Sequence, residues 1–103
     1  MTRGVGSAAN PRDGDRVKID VNLEGGVVMV ARASSSGCEV STKASSALAR
    51  LARGRARSEA LGISVADVTA QIGPVDEDHE NCVSTAIRAL RAAIVDAHVK
   101  AIA

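Results

Sequence analysis

Phenylalanine, tyrosine and tryptophan are all absent from this chain. With no aromatic platform for a nucleobase to stack on, the usual grip on single-stranded nucleic acid is missing. Any core must be built from Val, Ile, Leu, Ala and the two Met residues. A one-sided charge is lacking too: 13 Lys and Arg stand against 12 Asp and Glu, a formal net charge of +1. That balance does not suit an electrostatic coat on DNA or RNA. The arginines at 50, 53, 55 and 57 are a local cluster, read first as a solvated face and second as a docking patch. No apolar run approaches the roughly 20 residues needed to cross a bilayer. The opening MTRGVGSAANPRDGD has no apolar stretch of the signal-peptide kind. These absences predict a cytoplasmic protein with neither membrane nor nucleic acid as partner. Cysteine is scarce, with two in 103 residues. Two cysteines could form one disulfide, but in a reducing compartment isolated thiols are more often buried, metal-bound or reactive, and composition leaves those three open.

What is present is pattern. Residues 1–14 are rich in Gly, Ala, Asn and Pro without a period and read as a flexible N-terminal segment, which leaves 15–103 as a single domain. In DRVKIDVNL, Val17, Ile19, Val21 and Leu23 share one face and Arg16, Lys18, Asp20 and Asn22 the other, the mark of a half-buried strand. EGG supplies a turn and VVMVARA a second strand, so the two form a hairpin. A short third strand near Cys38 is left open by the pattern. The period then switches to that of helices. Val40, Ala44, Ala47, Leu48 and Leu51 form one stripe, with Gly54 as its stop. RSEALGISVADVTAQIG predicts two short helical pieces, the second opened by Ser64 with Asp67 as a capping box. After the acidic GPVDEDHEN, the residues Val83, Ala86, Ile87, Leu90, Ala93, Ile94 and Ala97 predict a long amphipathic helix. The fold class is therefore α+β, a small antiparallel sheet of two or three strands with the long helices on one face. Its expected core holds Val17, Ile19, Val21, Leu48, Leu51, Ile87, Leu90 and Ile94.

Both cysteines fall at or just before the first turn of a longer helix, where free backbone N–H groups and the helix dipole favour a thiolate and lower its pKa. The DGD segment, Asp13 to Asp15, approaches the first strand. Asp13, Asp15, Cys38 and Cys82 could converge on a thiophilic metal, since thiolates suit zinc and iron–sulfur centres. There is no CxxC pair and no HxxxH, so buried core thiols are the plain alternative. His79, three residues before Cys82, could approach the site, but in an acidic loop it reads first as solvent-exposed, and His98 reads as a surface residue.

The segments GDRVKIDVNLEGGVV, GCEVSTKASSALARLARGR, RSEALGISVADV and NCVSTAIRALRAAIVDAHVK together resemble, in order and spacing, the NifU/IscU-type iron–sulfur cluster assembly scaffolds. The resemblance implies that Cys38 and Cys82 match the family's second and third ligand cysteines, and Asp15 its functional aspartate. It also marks departures. Asp13 stands where the family has its first cysteine, and Asn81 where many members have His or Lys. GPVDED replaces a Pro-Pro-Val-Lys chaperone-recognition segment, and the N-terminal helix of typical members has no counterpart.

By that resemblance the protein is a scaffold rather than an enzyme. It would accept sulfur from a cysteine desulfurase, with Cys82 as the persulfide acceptor, and bind iron, an iron–sulfur cluster or zinc through Asp13, Asp15, Cys38 and Cys82. Apo iron–sulfur acceptor proteins would be its clients. Two rivals stand beside it: a degenerate interaction module of the same fold that binds no cluster, and a persulfide relay.

Overall fold

The computed structural model describes residues 1–10 and 14–102. Three strands form one antiparallel sheet in the order β1-β2-β3: β1 Thr2–Asn10, β2 Asp15–Glu24 and β3 Val27–Ser36. Four helices follow, α1 Glu39–Ala52, α2 Arg57–Leu61, α3 Val65–Ile72 and α4 Glu80–Ile102, with a 3-10 turn at Glu77–His79 leading into α4. The expected hairpin is β2 and β3, paired from Arg16↔Ser36 to Glu24↔Val27 with a bulge at Asn22/Leu23. The residues Val17, Ile19, Val21 and Leu23 are buried as their alternation requires, and α1 and α4 cover that face. The Ser64–Asp67 capping box forms as read, each residue's side chain accepting from the other's backbone N–H.

One expectation is corrected. Residues 2–10, read as part of a flexible lead-in, form β1 and pair with β2 from Thr2↔Leu23 to Asn10↔Asp15. The reason is steric. Gly4, Gly6 and Ala8 alternate on the inward face, and α4 lies so close that a Cβ at Gly4 would strike the Ala93 carbonyl and Ala97. At Gly6 it would strike the Ala89 carbonyl and the Ala93 nitrogen. Glycine here is a packing residue, not a breaker. Alanines 86, 89, 93 and 97 are the matching face of α4, all buried.

The expected core residues are buried with the exception of Leu51, which packs against the core at its margin. Ile63 and Val68 complete it between α1 and α4. Each such aliphatic side chain contributes roughly 1.5–3 kcal/mol of transfer free energy. Among the described residues, no helix is long and apolar enough to cross a membrane.

Candidate metal centre

The sheet and the two long helices deliver three polar side chains to one place. Asp15 opens β2, Cys38 precedes α1 and Cys82 lies in the first turn of α4. One donor atom from each lies within 4.8 Å of the others, and among the described residues this is the group able to hold an ion. The sulfurs are 3.2 Å apart. The Cys82 thiol donates to Asp15 Oδ2 at 3.0 Å and the Cys38 thiol to the same oxygen at 3.6 Å. Asp13 falls outside the described residues.

The loop between β3 and α1 explains how a buried carboxylate is held. Asp15 Oδ1 accepts the Cys38 backbone N–H at 2.8 Å. Gly37, at φ +126°, passes so near that a Cβ would collide with Asp15 Oδ1. Only glycine gives both that backbone and that space. Cys38 is the N-cap of α1, and its sulfur accepts the Ser41 N–H at 3.4 Å. Ser41 is itself fully buried and receives the Cys38 thiol at 3.6 Å. Neither Gly37 nor Ser41 is among the expected site residues, although "GC" and the serine three residues on are the visible signal.

Electrostatics separate the three. Burial pushes the Asp15 carboxyl up, but hydrogen bonds from the Cys82 thiol, the Cys38 N–H, the Cys38 thiol and Ser41 outweigh it. The net result lies below the ordinary carboxylate range. Cys82 behaves against expectation. It is fully buried, and burial first, then its bonds to the Asp15 carboxylate and Cys38, push its thiol up to about 12. The helix N-terminus does not activate it, because a dry site beside an anion disfavours a second negative charge. Both cysteines are free thiols.

The two histidines are not in the cluster. His79 is half-buried, and both its ring and its backbone N–H bond the Asp76 carboxylate. His98 is likewise half-buried, its Nδ1 in contact with Arg57. Asn81 is exposed, and its carbonyl accepts the Thr85 hydroxyl proton.

A sheet with helices on one face, and two thiols and a carboxylate gathered at its end, define a small α+β protein with a candidate soft-metal site. The chain belongs to the NifU-like N terminal domain family, whose model matches residues 1–102. It is 31% identical over 93 residues to the iron–sulfur cluster assembly scaffold protein IscU 1 of Archaeoglobus fulgidus, an alignment covering 90% of this chain and 61% of the relative. It is 30% identical over 95 residues to the scaffold protein IscU of Aquifex aeolicus, covering 90% of this chain and 60% of that one. The chain thus spans about three fifths of the length of these curated relatives. Among solved structures, the N-terminal region of a NifU-like protein from Brucella abortus superposes with a TM-score of 0.71 at 17% identity, over 93% of this chain and 79% of that one. That likeness shows the fold.

Proposed function

We propose that the protein is a scaffold on which an iron–sulfur cluster is put together, with sulfur supplied by a cysteine desulfurase and the product handed to apo iron–sulfur proteins. The carrying observation is the gathering of Asp15, Cys38 and Cys82, from three separate elements, within 4.8 Å. The donor set fits the cargo. Two thiolates suit iron or zinc, and a carboxylate, the harder ligand, makes the hold on a cluster labile. Asp13 is the fourth donor in this reading. Tetrahedral zinc with bonds of about 2.3 Å sets two sulfurs about 3.8 Å apart, so the pair at 3.2 Å opens by roughly half an ångström on loading.

Sulfur transfer to Cys82 balances as a thiol–disulfide exchange. The Cys82 thiolate attacks the terminal sulfur of the desulfurase persulfide, the S–S bond there breaks, Cys82 becomes the persulfide, and the desulfurase cysteine leaves as thiolate. Because Cys82 is fully buried, this route requires the Glu77–His79 turn and the start of α4 to move. The protein holds and hands on without turnover of its own, which is why we read it as no enzyme. A raised Cys82 thiol is the observation favouring the rival, an interaction module that keeps the fold and binds no cluster.

The test is anaerobic reconstitution with iron and sulfide, with elemental analysis and the decay of visible absorbance. Wild type is expected to hold a short-lived cluster. Asp13→Cys adds a soft third thiolate and should prolong it, and adding Cys82→Ser to that variant should abolish the gain. If neither wild type nor Asp13→Cys retains metal, the interaction module becomes the better reading.

A further inference from the structure

The two edges of the sheet are treated differently. On β1, α4 supplies partners: the Val5 N–H donates to Asp96 Oδ2 at 2.9 Å, and Arg88 reaches the Ala9 carbonyl at 3.4 Å. On β3, the loop after α1 pairs only the start of the strand and the turn before it, through Val28 N–H to the Arg55 carbonyl at 2.9 Å, Gly54 N–H to the Val28 carbonyl at 2.8 Å and Arg57 N–H to the Gly26 carbonyl at 2.7 Å. From Val30 to Ser36, no backbone hydrogen bond leaves the sheet on that side among the described residues. Every second residue there turns an N–H and a C=O away from β2. An open strand edge is a template for another strand.

Beside that edge runs a groove of about 380 Å³ between β3 and α1. Its lining includes the small side chains of Ala31, Ala33 and Ala49, and three arginines, Arg32, Arg50 and Arg53. Those three are exposed, and among the described residues none is in an ion pair. Arg53 donates to the Ala49 carbonyl at 3.3 Å. Arg32 senses Asp20, which Arg3 already bridges.

We propose that the β3 edge and this groove dock an extended acidic segment of a partner protein, which joins the sheet as a fourth strand. Backbone pairing with Val30–Ser36 supplies the affinity and the guanidinium groups select the charge. Side chains of an added strand alternate. One set enters the groove over the alanines and beside Arg50 and Arg53, and the other lies over the open sheet face near Arg32. The strand would end beside Cys38, two residues beyond β3. Strand addition at this edge does not depend on metal at the Asp15–Cys38–Cys82 site.

The test uses the full chain and a dye-labelled, capped peptide of about eight residues alternating Glu and Val, a typical strand length, read by fluorescence anisotropy at low salt. The comparison peptides are the Lys/Val analogue and a Glu/Val peptide N-methylated on alternate residues, made in both registers. Expected are binding of the Glu/Val peptide, slowed hydrogen exchange at amides between Val30 and Ser36, and about tenfold or greater weakening in Arg50→Glu/Arg53→Glu. Arg32→Glu should weaken binding in the same direction, with circular dichroism of both variants matching wild type. The Lys/Val peptide should not bind, and N-methylation in one register should remove binding. Equal binding of the Lys/Val peptide, or of both N-methylated peptides, overturns the proposal, since strand addition with charge selection predicts neither. Failure of the Glu/Val peptide to bind, with self-association that Arg50→Glu/Arg53→Glu breaks, assigns the edge to a second copy of this chain and also overturns it.

Discussion

Cys38 and Cys82 meet the same carboxylate oxygen from unequal ground. The first is partly exposed at the mouth of the site and the second wholly enclosed. In the metal-free protein iodoacetamide is therefore expected to modify Cys38 well before Cys82, as mass spectrometry after timed quenching would show. Faster labelling of Cys82 would mean that the start of α4 opens readily. Of the four expected donors the fold brings Asp15, Cys38 and Cys82 together, and Asp13 lies outside the described residues. Gly37 acts through its backbone, and Ser41 through both its N–H and its buried hydroxyl, neither of which shows in a hydropathy pattern. A glycine before a cysteine looks like loop filler until its φ of +126° and the nearby carboxylate are seen.

At the scale of elements, β1 and α4 are fitted to each other through missing side chains. Gly6→Val would place a branched side chain where the Ala89 carbonyl and the Ala93 nitrogen already lie. The expected loss is about 3 kcal/mol or more, the upper range for overpacking. Ser7→Val, outward on the same strand, should stay within about 0.5 kcal/mol; urea melts of the two variants check both values. Asp96 offers a pH test on the same pair. Its carboxyl is held below the usual range first by Lys100 and then by the Val5 N–H. A lowered folded pKa means that the contribution is complete above the unfolded value of about 3.9. It is lost as pH falls through the folded value. Metal-free wild type should accordingly shed stability below about pH 4, while Asp96→Asn starts less stable at neutral pH and falls less steeply there. Parallel acid limbs in thermal melts would count against the contact. Strand β2 was legible because its alternation contrasts Val and Ile with charge. Strand β1 was not, because Gly and Ala carry too little hydrophobic contrast to show a period of two, and its signal lay in the alanine stripe of α4.

For the whole molecule, the donors are remote along the chain: 23 residues separate Asp15 from Cys38, 44 separate the cysteines, and 67 separate Asp15 from Cys82. An ion held by all three ties the sheet to both long helices, and a ligand bound only by the folded state stabilises it by mass action. With zinc at about a hundred times its Kd the gain is about 2.7 kcal/mol. For a domain of this size that raises Tm on the order of 10 °C. Calorimetry of wild type with and without zinc should show the rise, and Cys38→Ser/Cys82→Ser should not. The N-cap of α1 carries this from mechanics into electronics. The Ser41 N–H, in the first turn of the helix, points at the Cys38 sulfur, and hydrogen bonds to ligand sulfurs help set a cluster's reduction potential. A cluster carried here would be easier to reduce than one without that donor, and Ser41→Pro, which removes the N–H, should lower its midpoint relative to Ser41→Ala in a redox titration. The end of α1 would then act as an electron-withdrawing substituent on one corner of the cargo.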